Sequence, residues 1–70
     1  MKYKLVKFRD GRYGARKGFL GFYEFLDIRF PLQFTWTSAH GIDTFCKGTE
    51  EHAKKVIATF YAYSDKGTPV

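Results

Sequence analysis

The sequence predicts an α+β fold: an antiparallel β-meander of about four strands, opening with an Asp-Gly hairpin, with one C-terminal helix packed on one face. Three observations carry this prediction. Asp10-Gly11 separates two stretches rich in strand-forming residues, which is a hairpin signal. Every even position from Leu26 to Trp36 is apolar, the period of two that marks a strand. After Thr49 an apolar stripe of Ala53, Val56, Ile57, Phe60 and Tyr61 recurs at helical spacing.

In chain order, Lys2 to Arg9 reads as the first strand, Asp10-Gly11 as a type I′ turn, and Arg12 to Lys17 as the returning strand. The apolar phase of the first strand shifts from Tyr3 and Leu5 to Val6 and Phe8, which fits either a bulge or burial on both faces. Residues 18–25 fit a strand or a helical face through Phe19, Phe22, Tyr23 and Leu26; their aromatic content and the glycines at 14, 18 and 21 favour strand. Pro31 interrupts the alternating run, so that run is an edge strand or two strands broken near Phe30-Pro31. Ser38 to Gly41 reads as a turn, and Ile42, Thr44 and Cys46 as the inward positions of a short last strand. Thr49 is the expected N-cap of the helix, Glu50 and Glu51 complement its positive end, and Gly67 lies just past its end. Residues 1–66 form one domain in this reading and 67–70 a flexible tail.

A chain of 70 residues builds only a small core, worth ~3 to 5 kcal/mol. Cys46 is the only cysteine, so no internal disulfide supplements it, and a reducing cytoplasm is the expected compartment. Eight Phe, five Tyr and one Trp offer more apolar area than one helix on one sheet face covers, so a homo-oligomer is expected. No long apolar run or signal-peptide pattern occurs, and neither export nor a membrane partner is expected.

Charge is unevenly distributed. The net charge is +5, but residues 1–17 hold seven basic side chains against Asp10 alone, while the remainder is nearly neutral. A basic hairpin on a neutral body points to an anionic partner, with lysine protection of an edge strand as the alternative. Arginines interleave with aromatics: Arg12, Arg16 and Arg29 have planar forks suited to phosphate, and Tyr13, Phe22 and Trp36 have faces suited to stacking a base. Arg9 and Lys17 are the expected helpers.

Catalytic and metal chemistry find little support. Ser38, His40 and Asp43 sit too close in sequence to align as a triad, and Cys46 is expected as a small core residue even if His52 approaches it. His40, His52 and Cys46 are too few for a structural zinc site, and no cofactor is expected. The glycines at 14, 18 and 21 lack the Gly-Lys-Ser/Thr ending of a phosphate loop. The chain is not expected to be an enzyme.

Two resemblances bear on function. Lys17-Gly18-Phe19-Leu20-Gly21-Phe22-Tyr23-Glu24-Phe25 resembles the RNP octapeptide of RNA-recognition domains if Leu20 is skipped. The extra residue reverses the face of the second half, and the sixteen preceding residues cannot supply the strand, helix and strand that family places first, so the family is rejected. The segments Lys7 to Arg16 and Phe45 to Ala53 resemble parts of small uncharacterised tailed-bacteriophage proteins. That resemblance implies an accessory protein of infection, some of which counter host defence by sequestering nucleotide signals or by blocking a defence protein. The expected function is therefore a non-enzymatic, oligomeric binding protein for a small anionic nucleotide-like ligand in the host cytoplasm. Nucleic-acid binding through the basic hairpin and inhibition of a host defence protein are the alternatives.

Overall fold

Lys4–Lys7 (β1) and Tyr13–Phe19 (β2) form the first antiparallel hairpin of a computed structural model that describes residues 2–29, 35, 36 and 38–70. Phe22–Leu26 (β3) pairs with the other edge of β2, and the two-residue Thr35–Trp36 (β4) pairs with β3, giving the order β1-β2-β3-β4. Two helices complete the α+β fold, Ala39–Phe45 (α1) and Glu50–Ser64 (α2). None of the described helices is long and apolar enough to cross a membrane.

Both hairpin turns differ from expectation: the first has another length, and residues 18–25, expected as strand, are divided by a second turn between Phe19 and Phe22. Asp10-Gly11 does not form a type I′ turn. Phe8 C=O accepts from Gly11 N–H at 3.1 Å and Phe8 N–H donates to Arg12 C=O at 2.8 Å, so Arg9-Asp10-Gly11 is a three-residue loop. Only Gly11 takes positive φ there, at 89°, which matches a turn followed by a left-handed residue. Asp10 instead accepts from Arg12 N–H at 2.9 Å, holding the loop from within. The two-residue turn with both central φ values positive lies at Leu20 (54°) and Gly21 (85°), between β2 and β3. This turn also explains the false RNP resemblance, whose halves belong to different strands.

The loop length sets the register. A two-residue turn at Asp10-Gly11 would pair Leu5 with Arg16; the three-residue loop pairs Leu5 with Ala15 and Lys4 with Arg16. The β1–β2 pairing runs without a bulge from Lys4 to Lys7, and the phase change reflects partial burial on both faces, with Tyr3 buried on one and Val6 and Phe8 half-buried on the other. Tyr3 is buried with Ala15, Leu26 and Val56 under α2, while the Phe8 ring lies 5.8 Å from that of Phe25.

Helix α2 begins where expected. Thr49 Oγ1 accepts from His52 N–H at 3.2 Å, and Glu50 and Glu51 occupy the first turn. Ala53 and Val56 are buried, with Ile57 and Phe60 packed beside them. A fully buried side chain of this kind contributes about 1.5 to 3 kcal/mol. Tyr3 fixes the helix end against the sheet: its ring meets Phe60 edge-on at 5.0 Å, and its N–H donates to the Tyr61 hydroxyl at 2.7 Å.

The expected last strand at 42–46 is instead α1 and its C-cap. Ser38 Oγ accepts from Gly41 N–H at 3.2 Å and Ser38 C=O from Ile42 N–H at 3.0 Å, which starts a helix where a turn was expected. Ile42, Phe45 and Cys46 satisfy helical spacing, and Asp43 and Thr44 between them are exposed. The alternating run also ends early: β3 stops at Leu26, and Ile28 N–H donates to Phe45 C=O at 2.9 Å, outside any strand. Residues 30–34 of that run lie outside the described residues.

Candidate anion-binding site

The register that sets half-buried Leu5 and buried Ala15 on the α2 side turns Lys4, Val6, Arg16, Tyr23 and Phe25 toward the opposite face of the sheet. At the end of that face a groove of about 510 Å³ is lined by Lys2, Lys4, Arg16, Lys17, Gly18, Leu20 and Tyr23. Its lining holds four cations and no carboxylate.

Each cation has a distinct setting. Arg16 places its guanidinium carbon 4.1 Å from the centre of the Tyr23 ring, which orients the planar fork without neutralising it. Lys4 stands directly across the ladder from Arg16, a like-charge juxtaposition that opposes folding. Lys17 Nζ lies 3.5 Å from Glu24 and 5.0 Å from the Tyr3 ring centre, so it is partly compensated. The ion-paired carboxylates serve other cations: Asp10 and Asp43 bind Arg12 and Lys47, Asp27 binds Arg29, and Glu50 binds Lys54. Among the described residues, none lies within ion-pair distance of Lys2, Lys4 or Arg16.

Of the eight residues expected at a site, Arg16 and Lys17 enter the groove, and Phe22 stands at the adjoining β2–β3 tip with 84% of its surface exposed. Arg12 is engaged elsewhere. Its Nη2 lies 2.6 Å from Asp10 Oδ2 and 2.7 Å from Asp43 Oδ1, joining the first loop to α1, and Lys47 completes the cluster. Hydrogen bonds from Arg12 hold Asp10 down at about 2, and Asp43 is lowered by Arg12 and Lys47. Tyr13 bridges Gly48 through two backbone hydrogen bonds of 2.7 and 2.8 Å, with Lys7 Nζ 5.8 Å from its ring centre. Arg9 is exposed in the hairpin loop.

Arg29 and Trp36 converge on Asp27, whose side chain is fully buried. Arg29 donates from N–H at 2.7 Å and from Nη2 at 3.1 Å, and Trp36 Nε1 donates at 3.0 Å. Burial pushes the Asp27 carboxyl up, but these donors prevail and hold it below the ordinary carboxylate value. The Phe45 ring completes the cluster, 4.9 Å from that of Trp36 and 4.0 Å from the Arg29 guanidinium. These contacts join β3, β4 and α1.

The groups considered for catalysis have structural contacts too. Ser38 caps α1 and Asp43 binds Arg12. Cys46 is buried with its thiol 3.9 Å from the Phe25 carbonyl, and burial raises its pKa to about 12. His52 Nε2 lies 3.0 Å from the Ile28 carbonyl. Among the described residues, no three His, Cys, Asp or Glu side chains gather as metal ligands.

Sequence reasoning missed Lys2, Lys4 and Tyr23. The signal for Lys4 was present, since the register that places apolar Leu5 opposite apolar Ala15 necessarily sets Lys4 opposite Arg16. Comparison with protein-family profiles, curated proteins and solved structures finds no match to this chain.

Proposed function

We propose that the chain is a non-enzymatic binding protein that captures a small anionic, nucleotide-like ligand in the basic groove. The observation that carries this reading is the group of Lys2, Lys4 and Arg16 around one groove without a carboxylate partner among the described residues. A groove of about 510 Å³ falls within the roughly 300 to 1,000 Å³ typical of small-molecule sites. Arg16 supplies a phosphate-matching fork, Lys2, Lys4 and Lys17 add charge, and Tyr23 supplies an aromatic wall. A nucleotide brings both the charge and the ring that such a lining accepts.

The reading extends to a second copy completing the groove, to the host-cell cytoplasm as its compartment and to a phage anti-defence role. The last two rest on the sequence resemblance and cysteine usage rather than on the groove. Calorimetric titration with inorganic pyrophosphate and a panel of nucleotides tests the core of the reading. Saturable binding at fixed stoichiometry, lost in Arg16→Ala, is the expected result, and no heat with any member contradicts it.

One observation favours nucleic acid as a second reading: Lys7, on the sheet face opposite Lys4, and Arg9, in the loop, spread exposed positive charge over the first hairpin beyond the groove. A backbone binder loses affinity steeply with salt and gains it with oligonucleotide length, whereas a pocket for one small ligand shows a modest slope.

A further inference from the structure

The groove leaves one feature of its rim unexplained. Leu20 and Phe22, at the β2–β3 turn, expose 81% and 84% of their surface, although folding ordinarily hides side chains of this kind. Leu20 also occupies left-handed backbone at φ 54°, a conformation that favours Gly or Asn. Position 20 therefore carries an apolar side chain where turn chemistry favours a polar or absent one. Leu20 shares the groove with Lys2, Lys4, Arg16 and Lys17, while Phe22 adjoins Lys17 and Glu24, which lie 3.5 Å apart.

We infer that this tip docks on an anionic lipid bilayer, with Leu20 and Phe22 entering the interface and the surrounding cations facing the headgroups. The occupant follows from the combination of shape and charge. A projecting apolar turn needs a soft apolar medium, and the cations grouped on the Leu20 side need a surface bearing many negative charges; an anionic bilayer supplies both. A second copy meeting this tip with its own tip would set Lys2, Lys4 and Arg16 against their own kind. A nucleic acid would satisfy the cations but leave aliphatic Leu20 without a stacking partner. A chain whose described helices are not long and apolar enough to cross a membrane can still lie on one, so this inference departs from the expectation of no membrane partner. It does not rest on the small-ligand reading, because Leu20 and Phe22 carry it.

Co-sedimentation with phosphatidylcholine vesicles, with and without phosphatidylserine, tests the inference. The protein should bind only the phosphatidylserine-containing vesicles. Leu20→Ser with Phe22→Ser should weaken partitioning about tenfold or more, the apolar Leu20→Met with Phe22→Leu should restore most of it, and Lys4→Ala should cost about fivefold. Circular dichroism checks that each variant is folded, and nucleotide titration of Phe22→Ser alone, at a position outside the groove lining, should match the unaltered chain, which separates this inference from the groove's ligand. Absence of vesicle binding at low salt would overturn the inference. So would partitioning indifferent to the serine substitutions, or a serine variant whose loss is confined to oligonucleotide affinity or to self-association.

Discussion

Lys4 and Arg16 stand directly opposite each other in the β1–β2 ladder, on the sheet face turned away from α2. Like charges facing across a sheet are destabilising, and no described carboxylate relieves this pair. Their proximity raises the local positive potential, which favours an anion arriving between them. Stability and binding are therefore opposed at this point of the sheet.

Lys4→Glu should raise stability by about 0.2 to 1 kcal/mol, because it converts a repulsive cross-strand pair into an attractive one. It should also abolish nucleotide binding. Urea midpoints and calorimetry on the same preparation check both halves, and a variant that is less stable yet still binds would contradict the assignment.

Leu20→Asn should stabilise the fold by about 1 kcal/mol, because Asn accepts left-handed backbone more readily than Leu. The readout is an increased urea midpoint with an unchanged denaturant slope. A decreased midpoint would mean that the exposed Leu20 makes stabilising contacts in the folded chain.

Stability should fall in acid, partly through Asp27. Its folded pKa lies below the ordinary carboxylate value, so its contribution is fully present above about pH 4 and is lost as pH falls through the depressed folded value. Asp27→Asn should flatten this acid slope and cost about 1 to 3 kcal/mol at neutral pH by weakening the buried contacts to Arg29 and Trp36. Urea titrations across an acid series measure both effects, and an unchanged slope would remove Asp27 from the account.

Cys46 should resist thiol reagents while the chain is folded. It is buried, and its pKa of about 12 leaves almost no thiolate near neutrality. Labelling by an aromatic disulfide should proceed only as fast as the protein opens and should accelerate in urea. Rapid stoichiometric labelling under native conditions would contradict the packing described for α1.

The parts of the fold legible in the sequence were those whose signals are local. Thr49 caps α2 and its stripe meets the sheet as its spacing predicted. The first hairpin was also visible, but its loop length was not. Asp10-Gly11 serves a two-residue or a three-residue loop, and the choice depends on pairing Leu5 with Ala15 across the strands. Helix α1 was misread because Ile42, Thr44 and Cys46 satisfy a period of two while Ile42, Phe45 and Cys46 satisfy a helical one, and the cap at Ser38 decides between them. The groove was partly legible through Arg16 and Lys17. Arg12, Arg29 and Trp36 carry the same chemistry, but their contacts with Asp10, Asp43 and Asp27 join elements distant in the chain, which sequence spacing does not reveal.

Native mass spectrometry of the purified protein, in parallel with Lys4→Glu and Arg16→Glu, decides whether the groove holds an anionic ligand. It reports subunit count, any small molecule carried through purification and the mass shift with added nucleotides. The expected result is an oligomer of the unaltered chain that holds one nucleotide-like anion per groove, with no retained ligand in either variant. An apo monomer that shows no shift with any nucleotide, or variants that retain the ligand as well as the unaltered chain, would contradict it.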